Sequence, residues 1–382
     1  MVYEFLGPRK IVAGENSITS APNEVRSLKG MKPLIVTDAG IANTGLLRRL
    51  TSLLDEEKIR YGIFSEVEPD PGFAIVEKGK RVFMEGQYDL LIALGGGSSI
   101  DTAKMISFLA TNEGTVRDYM GIVVFKNDPI SVIAIPTTAG TGSEVTHTAV
   151  VTDVDQKRKL LIKGTQLIPK TAILDPTLLS SLPPEMIAYT GMDAFIHAVE
   201  SFLSLRSNLM TQQFSLSAVR LIYPSLLPFK ENPKNTDLAS KMLHGSCLAG
   251  IAFTNAALGA VHALAHPIGS HYHLPHGFTC ALFLCQVLKE NKDAVLEKYG
   301  FLLETLGISS QGLSAERCTE KLIEAVDAFM KRLEIPVSLS ALGIKHEVQP
   351  MMIEDAMKSP GLMANPKKFD RDKIVELLEG VR

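Results

Sequence analysis

The sequence predicts two domains of different class: an N-terminal α/β domain built on a parallel sheet, then an all-α C-terminal domain. Three observations lead there. Short β-branched runs alternate with amphipathic helical stretches through the first half, the pattern of a parallel sheet flanked by helices. Past Leu182–Pro184 helical periodicity dominates. A chain of 382 residues is also long for one core, since domains run to roughly 100–200 residues each. The boundary is expected at Pro183–Pro184, giving domains 1–183 and 184–382.

The elements follow in order. LIVTDAG (34–40) reads as a strand ending in a turn, and Asn43–Lys58 as a helix with apolar residues at helical spacing. Tyr61–Phe64 is a second strand, EPDPG a turn, and Phe73–Glu85 a helix. Asp89–Leu94 is an apolar strand that runs straight into GGGSSIDTAK, which opens another helix. SVIAIPTTAGTGSE repeats that logic with a buried strand and a Gly/Thr-rich loop. In the second half the helices are Met186–Leu203, Gln212–Pro224, Ala239–Gly250, Ala256–Ile268, Glu316–Leu333 and Arg371–Leu378.

Composition narrows the function. With 46% hydrophobic and 21% charged residues the chain has the balance of a soluble globular enzyme. A net charge of −3 without a basic block argues against a nucleic-acid partner, because such binding depends on neutralising phosphates. MVYEFLGPRK has neither the positive stretch nor the apolar core of a signal peptide, so the expected location is the cytoplasm. The most apolar stretch, Cys247–Gly269, is interrupted by Thr254, Asn255, His262 and His266 and reads as buried helix, with no membrane partner expected. Cys247, Cys280, Cys285 and Cys318 form no CxxC pair and read as reduced thiols.

Gly95-Gly96-Gly97-Ser98 follows a buried strand and opens a helix. Glycines let the backbone approach a diphosphate, and free N–H groups at the helix start attract its charge. The spacing is not GxGxxG, so the expectation is a Rossmann-like nucleotide site with its own loop; a tight turn needing no ligand is the other reading. Thr137, Thr138, Thr141 and Ser143 lie in PTTAGTGSE, where hydroxyls beside glycines suit phosphate or ribose, or their own backbone. Asp38 ends the first strand, where open α/β sheets bind ligands. A carboxylate there accepts ribose hydroxyls and repels a 2′-phosphate, favouring NAD over NADP; capping a turn is the alternative.

In TGMDAFIHAVE, Asp193 and His197 are four apart on a predicted helix and share a face. In GAVHALAHPIG, His262 and His266 do the same, and His276 follows in LPHG. Oxygen and nitrogen donors without thiolate suit Fe²⁺, Zn²⁺, Ni²⁺ or Mn²⁺. One carboxylate and three neutral imidazoles leave a divalent ion with net positive charge, able to polarise a carbonyl or stabilise an alkoxide. Spacing leaves open which of His262 and His266 binds the ion.

GGGSSIDTAK, IPTTAGTGSEVT, TGMDAFIHAVESF, and AFTNAALGAVHALAHPIG followed by HLPHG together resemble the iron-containing (group III) alcohol dehydrogenase family, from about Phe5 to Val381. The resemblance implies a dehydroquinate synthase-like architecture and a metal held by Asp193, His197, His262 and His276, with His266 free beside substrate and nicotinamide. It matches Gly96, Gly97 and Ser98 to the diphosphate loop and Asp38 to the ribose carboxylate. Thr137, Thr138 and Thr141 match the loop around adenine and phosphates, Lys159 a lysine on the nicotinamide-side ribose, and Asp101 an acidic residue beside the cofactor. Thr148, Phe253 and the Leu362–Met363 segment fall where relatives line the substrate pocket. The cofactors implied are NAD and a divalent ion, Fe²⁺ first and Zn²⁺ second; the substrate is a small alcohol or aldehyde, and the assembly a homodimer or larger. His266 and Lys159 are the implied catalytic residues. After HG, relatives commonly continue NAxLLPxV where this chain has FTCALFLCQV. Cys280 and Cys285 thus replace Asn and Pro, which bears on helix packing and not on the ligands. His147 follows EVT and faces either substrate or solvent.

The expected reaction is reversible hydride transfer between nicotinamide and the carbon bearing the alcohol. The alternatives are a Zn²⁺ polyol dehydrogenase or dehydroquinate-synthase-like lyase of the same architecture, and a nucleotide- and metal-binding protein without turnover.

Overall fold

The structure is a computed structural model that describes residues 2–123, 125–154 and 158–382. The strands are β1 (Lys10–Ala13), β2 (Pro33–Asp38), β3 (Gly62–Val67), β4 (Leu90–Gly95), β5 (Gly121–Ile122), β6 (Val132–Pro136), β7 (Thr148–Asp153), β8 (Arg158–Lys163) and β9 (Thr171–Leu174). Six of them form a wholly parallel sheet in the order β1-β9-β6-β4-β2-β3. Helices α1 (Ala21–Ser27), α2 (Ala39–Asn43), α3 (Leu46–Glu56), α4 (Phe73–Glu85) and α5 (Gly97–Leu109) connect the early strands.

Alternation along the strands explains their continuous apolar runs. Leu34 and Val36 of β2, Leu91 and Ala93 of β4, and Val132 and Ala134 of β6 pack with Phe83 of α4 and Ile100, Ala103 and Ile106 of α5. Their neighbours Ile35, Ile92 and Ile133 point to the opposite face, and they are fully buried as well. From β2 the chain runs to β3 on one side, and the next strand, β4, lies on the other. The carboxyl ends of β2 and β4 therefore flank the switch point where open α/β sheets bind ligands.

β7 and β8 pair antiparallel and, with β5, make a separate three-stranded sheet that the single parallel sheet of the sequence reading did not include. The expected 34–40 strand stops at Asp38, which caps α2. Of the expected helix 43–58, Leu46–Glu56 forms α3; Asn43 is the last residue of α2, and Gly45, with a left-handed φ of 83°, precedes α3.

The chain divides into two compact units, Met1–Leu182 with Pro233–Leu243, and Pro183–Asn232 with His244–Arg382. The helices after the sheet are α6 (Pro184–Leu203), α7 (Leu209–Glu231), α8 (Thr236–Ala256), α9 (Ala260–Tyr272), α10 (His276–Asn291), α11 (Leu296–Thr305), α12 (Ala315–Arg332), α13 (Pro350–Lys358), α14 (Pro360–Ala364) and α15 (Arg371–Glu379). No strand follows β9 among the described residues. α7 continues past the expected end at Pro224, carrying Pro224 and Pro228 inside it. α8 extends to Ala256, and Ala257, with φ 61°, ends it three residues before α9. Among the described residues no single helix is long and apolar enough to cross a membrane; α8 and α9 meet at 106°. All four cysteines are free.

Candidate functional site

Asp193 and His197 lie one turn apart on α6, with Nε2 of His197 3.6 Å from Asp193 Oδ1. The same oxygen is 3.5 Å from Nε2 of His262 on α9 and 3.7 Å from Nε2 of His276, the first residue of α10. Three imidazoles from three helices thus converge on one carboxylate oxygen. At these distances none makes a good hydrogen bond to it. Asp193 is 2% exposed and His262 3%, yet Asp193 Oδ1 and His262 Nε2 have no hydrogen-bond partner. Buried polar atoms are ordinarily paired, so a convergence of metal-ligating nitrogen and oxygen atoms that leaves two of them unpartnered fits a cation. Burial alone would push the Asp193 carboxyl up, but His197, His276 and His262 outweigh it and hold it well below the usual carboxylate range.

The local sequence makes this convergence possible. Gly277 follows His276 where α10 meets α6: a Cβ there would sit 1.9 Å from the Tyr189 carbonyl oxygen. Only glycine lets the helix start come that close. His262 is oriented by Glu200, one further turn along α6 from His197. Glu200 Oε2 accepts the Nδ1–H of His262 at 2.6 Å, while Oε1 accepts the Val261 N–H at 2.7 Å. A carboxylate only accepts, so Nδ1 carries a ring proton and Nε2, facing Asp193, is the atom left to bind an ion. The Ala260 N–H donates to Asn365 Oδ1 at 3.2 Å, so two free amides of the α9 start have side-chain acceptors. Sequence reasoning missed Glu200, although Asp193, His197 and Glu200 at i, i+4 and i+7 were legible as one helix face.

His266, one turn after His262, stacks on His276 with ring centroids 5.2 Å apart and lies edge-on to His262 at 6.2 Å. Phe253 of α8 packs against His197 at 4.5 Å between centroids. Leu362 is on α14, which packs against α9, and its neighbour Met363 is exposed. One more side chain enters. Asp193, His262, His276 and Cys280 offer donor atoms that all lie within 4.8 Å of one another. From the sequence, Cys280 bears on helix packing and is not among the expected ligands. Burial pushes its thiol up to about 11.

In the first unit, Asp38 and the glycine loop come together at the switch point. Asp38 Oδ1 accepts the Ile41 N–H at 2.9 Å, and Oδ2 is 3.4 Å from Ser99 Oγ. Asp38 thus caps α2 from the carboxyl end of β2, with its second oxygen beside the start of α5. Gly96 precedes α5 with extended backbone, and Gly97 begins it. A Cβ on Gly97 would meet Thr141 Cγ2 at 2.7 Å, so the two glycine-bearing loops lie against each other. Thr138 is the nearest side chain to Gly96, and the buried Thr137 donates its N–H to the Gly95 carbonyl at 3.0 Å. Ser98 lies in the first turn of α5, where amides have no partner within the helix. The cradle is bare backbone rimmed by hydroxyls, which fits a diphosphate.

Two residues tied by the resemblance to the cofactor have protein partners. Asp101 accepts from Ser143 Oγ and from the Val150 N–H at 2.9 Å, with Lys104 Nζ 3.6 Å away. Lys159, on β8, pairs through Nζ with Asp70 at 2.8 Å. Lys104 also donates to Ser143, to Thr146 and to the Thr148 carbonyl. This buried network was not anticipated. Burial lowers the Lys104 ammonium to about 8 and raises the Glu144 carboxyl to about 7. His147 does not face solvent freely: its Nδ1 is buried without a partner.

A model of the iron-containing alcohol dehydrogenases matches residues 8–176, and one of the C-terminal part of that family matches residues 187–381. The chain belongs to the iron-containing alcohol dehydrogenase family. Within it, this alcohol dehydrogenase is 36% identical over 378 residues to the 1,3-propanediol dehydrogenase of Klebsiella pneumoniae, covering 98% of each chain. It is 32% identical over 375 residues to the NAD-dependent methanol dehydrogenase of Bacillus methanolicus, again covering 98% of each. A crystal structure of a 1,3-propanediol oxidoreductase superposes with a TM-score of 0.97 at 36% identity over the whole of both chains. Its reaction class is the interconversion of alcohol and aldehyde. These relatives lend no support to the zinc polyol dehydrogenase or lyase readings.

Proposed function

We propose that the enzyme is a NAD-linked reductase of small aldehydes, reversible toward the alcohol, whose divalent ion is held by Asp193, His197, His262 and His276. The observation that carries this is the approach of three imidazole Nε2 atoms to within 3.7 Å of one buried carboxylate oxygen. Iron(II) is the family's ion, and the same nitrogen and oxygen donors accept zinc(II). When bound, the ion supplies positive charge that favours the alkoxide over the alcohol, and NAD supplies the hydride acceptor.

The chain's own residues do the rest. Glu200 keeps the His262 proton on Nδ1, so Nε2 stays free to bind. Gly96, Gly97 and Ser98 present backbone amides to the diphosphate, with Thr137, Thr138 and Thr141 along the rim, and the Asp38 carboxylate takes the ribose hydroxyls and disfavours a 2′-phosphate. His266, stacked on His276, carries the alcohol proton toward solvent. Lys159 reaches the nicotinamide-side ribose by giving up Asp70, and Asp101 supports that loop through Ser143. Phe253 and Leu362, both in the second unit, are read as contacts of a small, partly apolar substrate, and Thr148 keeps the substrate-side role that the resemblance implies. In this reading 1–183 is the nucleotide domain and 184–382 the metal and substrate domain. A cytoplasmic homodimer or larger assembly completes it; the four free cysteines fit a reducing compartment, and light scattering tests the assembly.

The test is an anaerobic screen of NADH oxidation across small aldehydes, with the metal content of the isolated protein measured. Metal-dependent turnover of at least one aldehyde is expected. Full turnover of metal-stripped protein would overturn the reading.

A further inference from the structure

We propose that Cys280 is a sulfur donor at this centre, so that the site takes thiophilic divalent ions, zinc(II) and cobalt(II), through a bond the other four donors do not supply. The inference rests on the metal-site reading above and deepens it.

Two independent observations carry it. The first is geometric. Cys280 lies one turn after His276 on α10 and shares its face, with Sγ 3.7 Å from His276 Nε2. Its sulfur belongs to the set of donor atoms that all fall within 4.8 Å of one another, with Asp193, His262 and His276. Metal–ligand bonds of about 2.0–2.3 Å put the donors of one ion roughly 3.5 Å apart, so a small contraction suffices. The second is the pair of buried atoms without partners, Asp193 Oδ1 and His262 Nε2, which face the same space. Cys280 itself is fully buried, so its sulfur meets this space and not solvent.

The chemistry follows from softness. A thiolate biases a nitrogen and oxygen site toward zinc and cobalt(II) over iron(II). On binding, the S–H bond is replaced by a sulfur–metal bond, the proton leaves to buffer, and no electrons change hands. The Asn common at this position in the resembling sequences offers no such donor.

The experiment is cobalt(II) substitution of the metal-stripped full chain, read by absorption. Wild type should show visible d–d bands together with a near-ultraviolet thiolate-to-cobalt charge-transfer band. Cys280→Ser and Cys280→Asn should keep the d–d bands and lose the charge-transfer band, and the other three cysteines serve as internal controls because both variants retain them. In a zinc/iron competition read by mass spectrometry, the zinc preference of either variant should fall on the order of 10-fold or more. Wild-type d–d bands without the charge-transfer band would overturn the sulfur ligand and leave the metal site standing. Undiminished cobalt binding in Asp193→Ala would overturn the site itself.

Discussion

Glu200→Gln tests whether the carboxylate behind His262 sets the metal site. Glu200 satisfies two donors at once, the His262 Nδ1–H at 2.6 Å and the Val261 N–H at 2.7 Å. A glutamine has one oxygen and one NH₂ in the same space. If its oxygen keeps Val261, the NH₂ faces Nδ1, the ring proton moves to Nε2, and the lone pair aimed at Asp193 is lost. If its oxygen keeps His262, the NH₂ opposes the Val261 N–H, donor against donor. Either way a charge-assisted hydrogen bond goes, at about 1.5–3 kcal/mol for the metal-free protein. Loss of such an outer partner weakens metal binding about 10- to 100-fold, or about 1.4–2.8 kcal/mol. Chelator competition measures the affinity, and denaturant unfolding of the stripped protein measures the stability. A stability loss with metal affinity unchanged would refute the reasoning, because Glu200 would then be only a cap for α9.

Three other outcomes follow from the same structure. Gly277→Ala places a Cβ 1.9 Å from the Tyr189 carbonyl and should cost about 1–3 kcal/mol in a urea melt, with metal content falling as His276 is pushed from Asp193. His262→Ala should remove metal and activity together, whereas His266→Ala should keep the metal and lose rate, most visibly in the pH profile of turnover. Burial, then Lys163 and Lys104, lower the His147 imidazole from 6.5 to about 4. The unfolded chain therefore takes the proton first, so stability is full above about pH 6.5 and falls by up to about 3 kcal/mol as pH drops to 4. His147→Gln should flatten that part of the curve in unfolding titrations; an unchanged slope would assign the acid sensitivity elsewhere.

Local patterns in the sequence determined a good deal. Apolar strands running into GGGSS and TTAGTGS were legible because a strand buried on both faces must be continuously apolar and must end in residues that can turn. The pairing of Asp193 with His197 was legible because residues four apart share a helix face whatever the helix packs against. The family resemblance came from the same ordered segments. Only the tertiary structure decided what depends on separate elements meeting. Spacing treats His262 and His266 alike; it is α9, packed against α10 and tied to α6 through Glu200, that brings His262 to 3.5 Å from Asp193 and sets His266 against His276. Lys159 found Asp70 through the β7–β8 hairpin, a pairing no local pattern encodes. Cys280 read as a packing residue in one dimension, and became a neighbour of the metal ligands because Gly277 lets α10 start against α6. Helix and strand periods are properties of a segment, whereas a coordination site is a property of the distances between segments, and those are set by packing.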